Sequence, residues 1–232
     1  MKLSAKEKAS YGLGAVGKDM VYMLSASYIL YYYQDLLGVS SWVMGVILMA
    51  ARIFDAFNDP IMGVVVAKTQ TKWGKFRPWL LIGTVLNAIV LFFMFAVPKS
   101  VTGGGLAAYA AILYITWGIT YTMMDIPFWS MIPAFTEGGK ERENLSTLAR
   151  SCAGVGSAII TVITMICVPK LGGIGNADKA ALVAAGNAEG AADGVKLAGI
   201  EAGRIIERSG FKWFALIIAI LFVVFITVTC IC

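Results

Sequence analysis

The sequence predicts an all-α membrane protein, and three observations lead to that prediction. Hydrophobic residues make up 59% of the 232 residues, well above the roughly 45–50% of soluble domains. Only 14% of the residues are charged, too few for a surface that faces water, where roughly 25–35% would be needed. The apolar residues also lie in long runs separated by short polar segments, a pattern typical of helices that cross a lipid bilayer.

Six spanning helices are predicted from these runs, at about 11–33, 41–67, 79–97, 106–135, 145–168 and 211–231. The fourth is long enough to project from the bilayer. The segment from about 170 to 210 is rich in Ala and Gly, and 176–208 can form one or two short amphipathic helices. We expect this segment to be an external, mobile insertion rather than a functional lid, although its composition fits both interpretations.

The distribution of Lys and Arg predicts a cytoplasmic N-terminus in a multi-pass protein of the cell membrane. Basic residues are concentrated in the N-terminal segment, in the loop after the second span and in the loop after the fourth. The loop after the first span has none, and the loop after the third has only Lys99. Because basic residues are enriched in cytoplasmic loops, this pattern also explains the net charge of +5 without any interaction with nucleic acid.

The residue types limit the chemistry of the protein. Histidine is absent, and the four cysteines show no CxxC spacing. These features predict neither a transition-metal site nor a disulfide framework, and we expect no cofactor. Any proton movement through the protein would have to use carboxylates. The chain also has no evident nucleophile–base pair, so we do not expect an enzyme.

Several charged residues interrupt the apolar helices. A charge at the bilayer centre costs on the order of 2.5–3.5 kcal/mol, so such residues usually face the interior of a bundle and mark the path of a substrate or ion. The charged residues within these helices are Lys18, Asp19, Arg52, Asp55, Asp59, Asp125 and Arg150. Two alternatives stay open: Lys18 and Arg150 could extend to a nearby helix end, and Arg52 could simply neutralise Asp55.

The second span carries a candidate cation site. Asp55 and Asp59 are four residues apart and share one helix face, with Asn58 beside them and Arg52 three residues before Asp55. Two carboxylates and a carboxamide oxygen are hard ligands of the kind that suits Na⁺ or Li⁺. Alternatively, two adjacent carboxylates can share a proton. Pro60 removes a backbone donor and can free a carbonyl for an ion.

The fourth span carries a second constellation, in which Tyr121, Thr122, Asp125 and Trp129 form one stripe. A carboxylate accepts charge-assisted hydrogen bonds from hydroxyl groups, and a Trp ring offers an apolar face for a sugar ring. These features predict a sugar pocket, although ordinary packing of the Trp ring would fit the same pattern. Residues of other spans that can complete the pocket are Lys18, Asp19 and Arg150.

The loop over 63–78 is basic and contains helix breakers. Its charge can serve to orient the chain in the membrane. A sharper interpretation, compatible with the first, is a cytoplasmic gate whose cations pair with acidic groups in one state of a transport cycle. The candidate gate or charge-partner residues are Arg52, Lys75 and Arg77.

Four ordered stretches carry a family resemblance: YGLGAVGKD at 11–19, ARIFDAFNDP at 51–60, WGKFRPW at 73–79 and YTMMDIPFWS at 121–130. They resemble the glycoside–pentoside–hexuronide:cation symporter family, which has the major facilitator fold with two six-helix halves. The resemblance covers nearly the whole chain except the external segment. It implies that residues 1–232 form the N-terminal six-helix bundle and that the C-terminal six-helix bundle is absent.

The resemblance also implies symport of a sugar or glycoside with Na⁺, Li⁺ or H⁺ by alternating access. The implied partners are that sugar, membrane lipid and the missing C-terminal half. The implied cation site consists of Asp55, Asn58, Asp59 and Thr122. The implied sugar site consists of Lys18, Asp19, Tyr121, Asp125, Trp129 and Arg150.

Three alternatives to sugar symport stay open at this stage. The same fold could carry a lysolipid, which would need an apolar cleft open to the membrane. A half-length chain could also be a non-transporting sensor or assembly subunit. Buried carboxylates could in principle perform glycosidase chemistry, the least expected of the three.

Overall fold

The computed structural model describes residues 4–231, which form seven α-helices, one π-helical segment and no strand. The all-α prediction is confirmed. The π-helical segment, Tyr31–Leu36, continues the first helix. The helices are α1 (Ala5–Leu30), α2 (Ser41–Lys68), α3 (Arg77–Phe95), α4 (Gly104–Phe135), α5 (Lys140–Gly173), α6 (Ala177–Gly186) and α7 (Asp193–Ile231).

Five of these helices, α2, α3, α4, α5 and α7, are long and apolar enough to cross a membrane. The sequence predicted six spans, and the difference is α1. Lys18 and Asp19 near its middle lower its hydropathy, although its 26 residues would extend about 39 Å, more than the roughly 30 Å hydrocarbon core. Most of its side chains between Ser10 and Leu24 are buried against other helices rather than facing lipid.

The start of α1 is fixed by a capping box. The Glu7 amide donates to Ser4 Oγ at 3.2 Å, and the Ser4 amide donates to Glu7 Oε2 at 2.7 Å. These hydrogen bonds lower the pKa of Glu7. The carboxylate therefore stays charged at the positive end of the helix dipole.

The packing order of the helices places a gap between α1 and α4. α1 packs against α5 and α7, α7 also packs against α3, and α3 packs against α4. α2 packs mainly against α4 and lies at the edge of the bundle, where Phe57 is 69% exposed and Ile61 is 63% exposed. Because α1 and α4 have few close backbone approaches, long side chains from both helices meet in the space between them.

The segment over 170–210 is largely helical. α7 begins 18 residues before the predicted sixth span, and its 39 residues would extend about 58 Å, so its first half projects beyond the roughly 30 Å core. Arg208 donates to the Val97 carbonyl at 2.8 Å, and Tyr31 donates to Glu207. α6 packs against this extension. The sequence predicted one or two short helices over 176–208, and α6 and the first part of α7 lie there. Their continuity with the last span was not predicted, because an Ala-rich helix outside the bilayer needs no apolar run. The mobility of this segment stays a prediction.

Candidate functional site

The central feature of the gap between α1 and α4 is an ion pair between a buried lysine and a half-buried aspartate. Lys18 Nζ lies 2.5 Å from Asp125 Oδ1 and 3.2 Å from the Tyr121 hydroxyl oxygen. Lys18 is only 4% exposed. A buried ammonium needs a partner that replaces its lost hydration, and Asp125 supplies it. Lys18 therefore does not extend to a helix end; it joins α1 to α4.

Aromatic rings surround this ion pair. The Lys18 ammonium lies 4.9 Å from the centre of the Trp129 ring and 5.8 Å from that of Phe128, within the range of cation–π attraction. Trp129 Nε1 donates to Asp125 Oδ1 at 3.1 Å. The guanidinium of Arg150 lies 5.5 Å from the centre of the Trp129 ring. The structure thus brings together one carboxylate, two cations and one indole ring.

Asp19 follows Lys18 in sequence but points elsewhere. Its Oδ2 accepts a hydrogen bond from the Ser157 hydroxyl of α5. Among residues 4–231, no Lys or Arg nitrogen lies within 4 Å of its carboxylate. Successive helical residues diverge by about 100°, so Lys18 faces α4 while Asp19 faces α5.

A close approach of α1 and α5 brings Ser157 within reach of Asp19. A Cβ atom on Gly156 would lie 2.6 Å from the Val16 carbonyl oxygen, so only glycine fits there without moving the backbone. Sequence reasoning did not select Ser157. The available signal was the run of small residues in the fifth span, which is typical of close helix packing in membranes.

The carboxylates of α2 meet α4. Thr122 Oγ1 donates to Asp59 Oδ1 at 2.9 Å. Asp55 lies against Gly118, where a Cβ atom would be 2.9 Å from Asp55 Oδ1. Arg52 Nη1 is 3.7 Å from Asp55 Oδ2. Asp55, Asp59 and Thr122 therefore lie at the α2–α4 contact. Spacing predicted the shared face of Asp55 and Asp59, and the family resemblance alone implied Thr122.

Asn58 lies beside these residues and has a side-chain amide without a hydrogen-bond partner among the described residues. Its Nδ2 is buried and has no hydrogen-bond partner among the described residues. Buried polar groups are rarely left unpaired. A half-turn of the amide would place Oδ1 there instead and offer one more hard oxygen ligand. Two carboxylates, a hydroxyl and an amide oxygen form a donor set that fits a hard monovalent cation.

Aromatic side chains that the sequence did not single out lie between the two centres. The Tyr22 ring is 5.5 Å from that of Tyr121 and 6.2 Å from that of Trp117, centre to centre. Trp117 and Tyr121 stack at 5.2 Å. Arg52 also interacts with Tyr22. Aromatic residues in apolar helices are usually core residues, so sequence alone gave no reason to select Tyr22 or Trp117.

The three candidate gate residues are not brought together. Arg52 lies beside Asp55 with its side chain 59% exposed. Lys75 lies in the turn between α2 and α3, and Arg77 begins α3. Within residues 4–231, neither of these two cations has a carboxylate oxygen within 4 Å. Their pairing with acidic groups in another state stays a prediction.

Comparison with known proteins decides the family. A family model described as MFS/sugar transport protein matches residues 10–232. The chain belongs to this family. The resemblance that the four motifs carried is thereby confirmed, together with the major facilitator fold. The family is one of multi-pass membrane transporters rather than enzymes, in agreement with the sequence prediction.

Individual relatives agree with this placement. The chain is 36% identical over 168 residues to the uncharacterized symporter YjmB of Bacillus subtilis (strain 168), covering 71% of this chain and 36% of that protein. It is 32% identical over 167 residues to an isoprimeverose transporter of Lactiplantibacillus pentosus, covering 72% and 35%. It is 33% identical over 167 residues to a glucuronide carrier protein homolog of Escherichia coli (strain K12), again covering 72% and 35%. The chain spans about a third of the length of these relatives.

Proposed function

We propose that this chain forms the N-terminal half of a cation-coupled sugar symporter that works by alternating access. The observation that carries the proposal is the buried Lys18–Asp125 pair against the Trp129 ring, beside an acidic pair on α2. Two charges of opposite sign offer both hydrogen-bond donors and acceptors to sugar hydroxyls. The indole supplies an apolar face for the sugar ring. Relatives named as an isoprimeverose transporter and a raffinose carrier support a sugar as cargo.

In the proposed sugar site, each side chain has a distinct role. Asp125 accepts hydrogen bonds from two sugar hydroxyls, while Lys18 and Arg150 donate to others. Asp19, held by Ser157, accepts on the α5 side. Tyr121, Trp129 and the second half of the transporter complete the enclosure.

The proposed coupling cation is Na⁺, Li⁺ or H⁺, bound between α2 and α4 by Asp55, Asn58, Asp59 and Thr122. Asp55 lies 3.7 Å from Arg52, a separation that leaves its oxygens available for a cation. A bound cation would offset one of the two negative charges and weaken the hold of Asp55 on Arg52. In this proposal, cation binding therefore precedes sugar binding and raises the affinity of the sugar site.

Coupling between the two sites can pass through side chains already in contact. Arg52 interacts with Tyr22, Tyr22 lies against Tyr121, and Tyr121 accepts a hydrogen bond from Lys18. A shift of Arg52 on cation binding would change the position of Tyr22 and with it the sugar pocket. Thr122 of the cation site and Tyr121 of the sugar site are also adjacent on α4, so binding at either site acts on the same helix. Such linkage makes each ligand raise the affinity for the other by the same factor.

In this proposal the N-terminus is cytoplasmic. The transport cycle rocks the two halves of the transporter about the sugar and cation sites. Lys75 and Arg77 lie at the end of the bundle where the second half would close. In the inward-closed state, they would pair with acidic groups of that half. This assigns the basic turn between α2 and α3 a gating role in addition to its effect on orientation.

Binding calorimetry of the purified protein tests this function. We expect glycosides to bind in sodium buffer and a lysophospholipid not to bind. Trp129→Ala should abolish the glycoside signal, whereas Trp42→Ala, on the exposed start of α2, should leave it unchanged. Binding of the lysophospholipid without any glycoside signal would refute sugar as the cargo.

A further inference from the structure

A cavity of about 510 Å³ lies at the end of the bundle that carries the turn between α2 and α3. Its walls come from the first turns of α1, this turn, the last turns of α4 and α7, and the beginning of α5. Its volume lies within the roughly 300–1,000 Å³ range of ligand pockets. The cavity is separate from the two sites described above, since none of their side chains lines it.

The charge of this cavity is one-sided. Among the described residues that line it, Lys72, Lys75 and Arg77 lie opposite one carboxylate, that of Glu7. In the described part of the chain, no carboxylate oxygen lies within 4 Å of any of the three cations. Glu7 is already engaged by the Ser4 capping box. The cavity therefore presents about two uncompensated positive charges, which is the complement of a phosphate group.

Hydrogen bonds hold the turn that carries these cations in one conformation. Thr71 Oγ1 donates to the Gly74 carbonyl at 2.6 Å, and the Gly74 amide donates to the Thr71 carbonyl at 3.0 Å. Trp79 Nε1 donates to Thr69 Oγ1 at 2.9 Å and ties the turn to α3. Gly74 has φ +93°, a conformation that glycine adopts without strain. Charge for orientation alone would not require such a fixed arrangement.

The remaining lining is apolar and aromatic. Trp73, which is 70% exposed, lies at the rim beside the cations, and Phe76, Met131 and Phe135 extend the wall. The turn connects two membrane-spanning helices, so the cavity lies at headgroup depth. Trp side chains favour this level because they are apolar at one end and polar at the other. A ligand that combines a phosphate with a glycerol and acyl portion matches both parts of the lining.

We infer that this cavity binds the headgroup of an anionic phospholipid. Lys72, Lys75 and Arg77 contact the phosphate, and Trp73 packs against the glycerol and the first methylene groups. The bound lipid would hold the turn against α1 and α4. This site is separate from the proposed sugar and cation sites but shares Lys75 and Arg77 with the proposed gate. The lipid would therefore occupy it in the state in which these two residues do not pair with the second half.

Native mass spectrometry of the detergent-purified full chain tests this inference, with phosphatidylglycerol and phosphatidylcholine as probes. We expect retention of phosphatidylglycerol and not of phosphatidylcholine. The triple variant Lys72→Gln/Lys75→Gln/Arg77→Gln should bind phosphatidylglycerol about 100-fold more weakly, since each basic group near a charged lipid surface contributes about a fivefold change. The matched control is Lys99→Gln/Lys170→Gln/Lys212→Gln, which removes three exposed charges at the opposite end of the bundle and should retain the lipid.

Two results would overturn the inference. Equal retention in the two triple variants would mean that the cavity has no special affinity for the lipid. Displacement of phosphatidylglycerol by an equal concentration of inorganic phosphate would assign the cavity to a free anion instead. The three cations are exposed, so their removal should not prevent folding. If the triple variant fails to fold, Trp73→Ala should weaken lipid retention without changing the charge.

Discussion

The two polar centres of the bundle differ in how fully this chain satisfies them. Between α1 and α4, the ammonium of Lys18 is buried and paired with Asp125 at 2.5 Å. Between α2 and α4, the Arg52–Asp55 pair is looser at 3.7 Å, and the Arg52 side chain is 59% exposed. α2 also lies at the edge of the bundle, held mainly by α4. One centre is therefore preformed, and the other lies on a helix that can move.

This difference fits the order of events in the proposed cycle. A preformed centre loses little conformational freedom when its ligand binds, which suits selection of a sugar. A loosely held centre can change with its occupant, which suits a cation that triggers a rearrangement. The following substitutions separate the two behaviours, beginning with the largest expected effect.

Asp125→Asn should have the largest effect because it leaves the Lys18 ammonium buried without a charged partner. We expect a loss of about 3 kcal/mol in unfolding free energy, at the lower end of the range for broken buried pairs because the Asp125 side chain is 28% exposed. Sugar binding should be lost as well. Thermal unfolding and calorimetry measure the two effects.

Two variants control for this result. Asp35→Asn removes an exposed carboxylate and should change neither quantity. The double variant Lys18→Met/Asp125→Leu should regain stability, because an apolar pair can replace a buried ion pair, yet it should still not bind sugar. Full stability of Asp125→Asn alone would show that the ion pair does not hold α1 to α4.

Gly156→Ala should destabilise the contact between α1 and α5. The added Cβ would lie 2.6 Å from the Val16 carbonyl oxygen, so the two backbones must separate at a cost of about 1–3 kcal/mol. Gly154→Ala is the matched control, because its Cβ would meet no atom within 4 Å. Equal melting temperatures of the two variants would contradict the close approach.

Gly118→Ala should act on cation affinity with little effect on stability. Its Cβ would lie 2.9 Å from Asp55 Oδ1, and a carboxylate at the end of a side chain can move away easily. Sodium affinity should fall about tenfold, a loss of roughly 1.4 kcal/mol. Gly63→Ala on α2 meets no atom within 4 Å and should leave sodium affinity unchanged; a similar fall in both would indicate an indirect effect.

Ser157→Ala should have the smallest effect of the four. It removes the hydroxyl that holds Asp19, at a cost of about 1 kcal/mol, and sugar affinity should fall about fivefold. Ser157→Thr keeps the hydroxyl and should restore most of the affinity. If Ser157→Ala binds sugar normally, Asp19 needs no positioning by α5.

Periodicity within single helices predicted much of the candidate site. The spacing of Asp55 and Asp59 places both on one face of α2, and both lie against α4 in the structure. The predicted stripe of α4 is divided: Tyr121, Asp125 and Trp129 lie around Lys18. Thr122 instead donates to Asp59 of α2. What single-helix patterns could not supply was the pairing between helices. Lys18 and Asp19 are neighbours in sequence but face different helices, and Asp19 meets a serine rather than a cation.

Small residues account for part of what the sequence did not reveal. Gly118 and Gly156 determine which side chains reach across helix contacts, yet glycine is frequent in membrane helices and is not selective by itself. The length of α7 was also missed, because hydropathy marks where a helix lies in the bilayer and not where it ends.

The most direct test of cation-coupled sugar binding is the reciprocity of the two affinities. Calorimetry would measure sugar affinity with and without sodium, and sodium affinity with and without sugar, in the unmodified protein and in Asp59→Cys. Linkage requires the factor by which sodium raises sugar affinity to equal the factor by which sugar raises sodium affinity. We predict that this factor exceeds about 5 in the unmodified protein, which corresponds to about 1 kcal/mol of coupling. In the variant it should fall to about 1. Sugar affinity that is the same in sodium, in lithium and across pH in the unmodified protein would contradict the proposal.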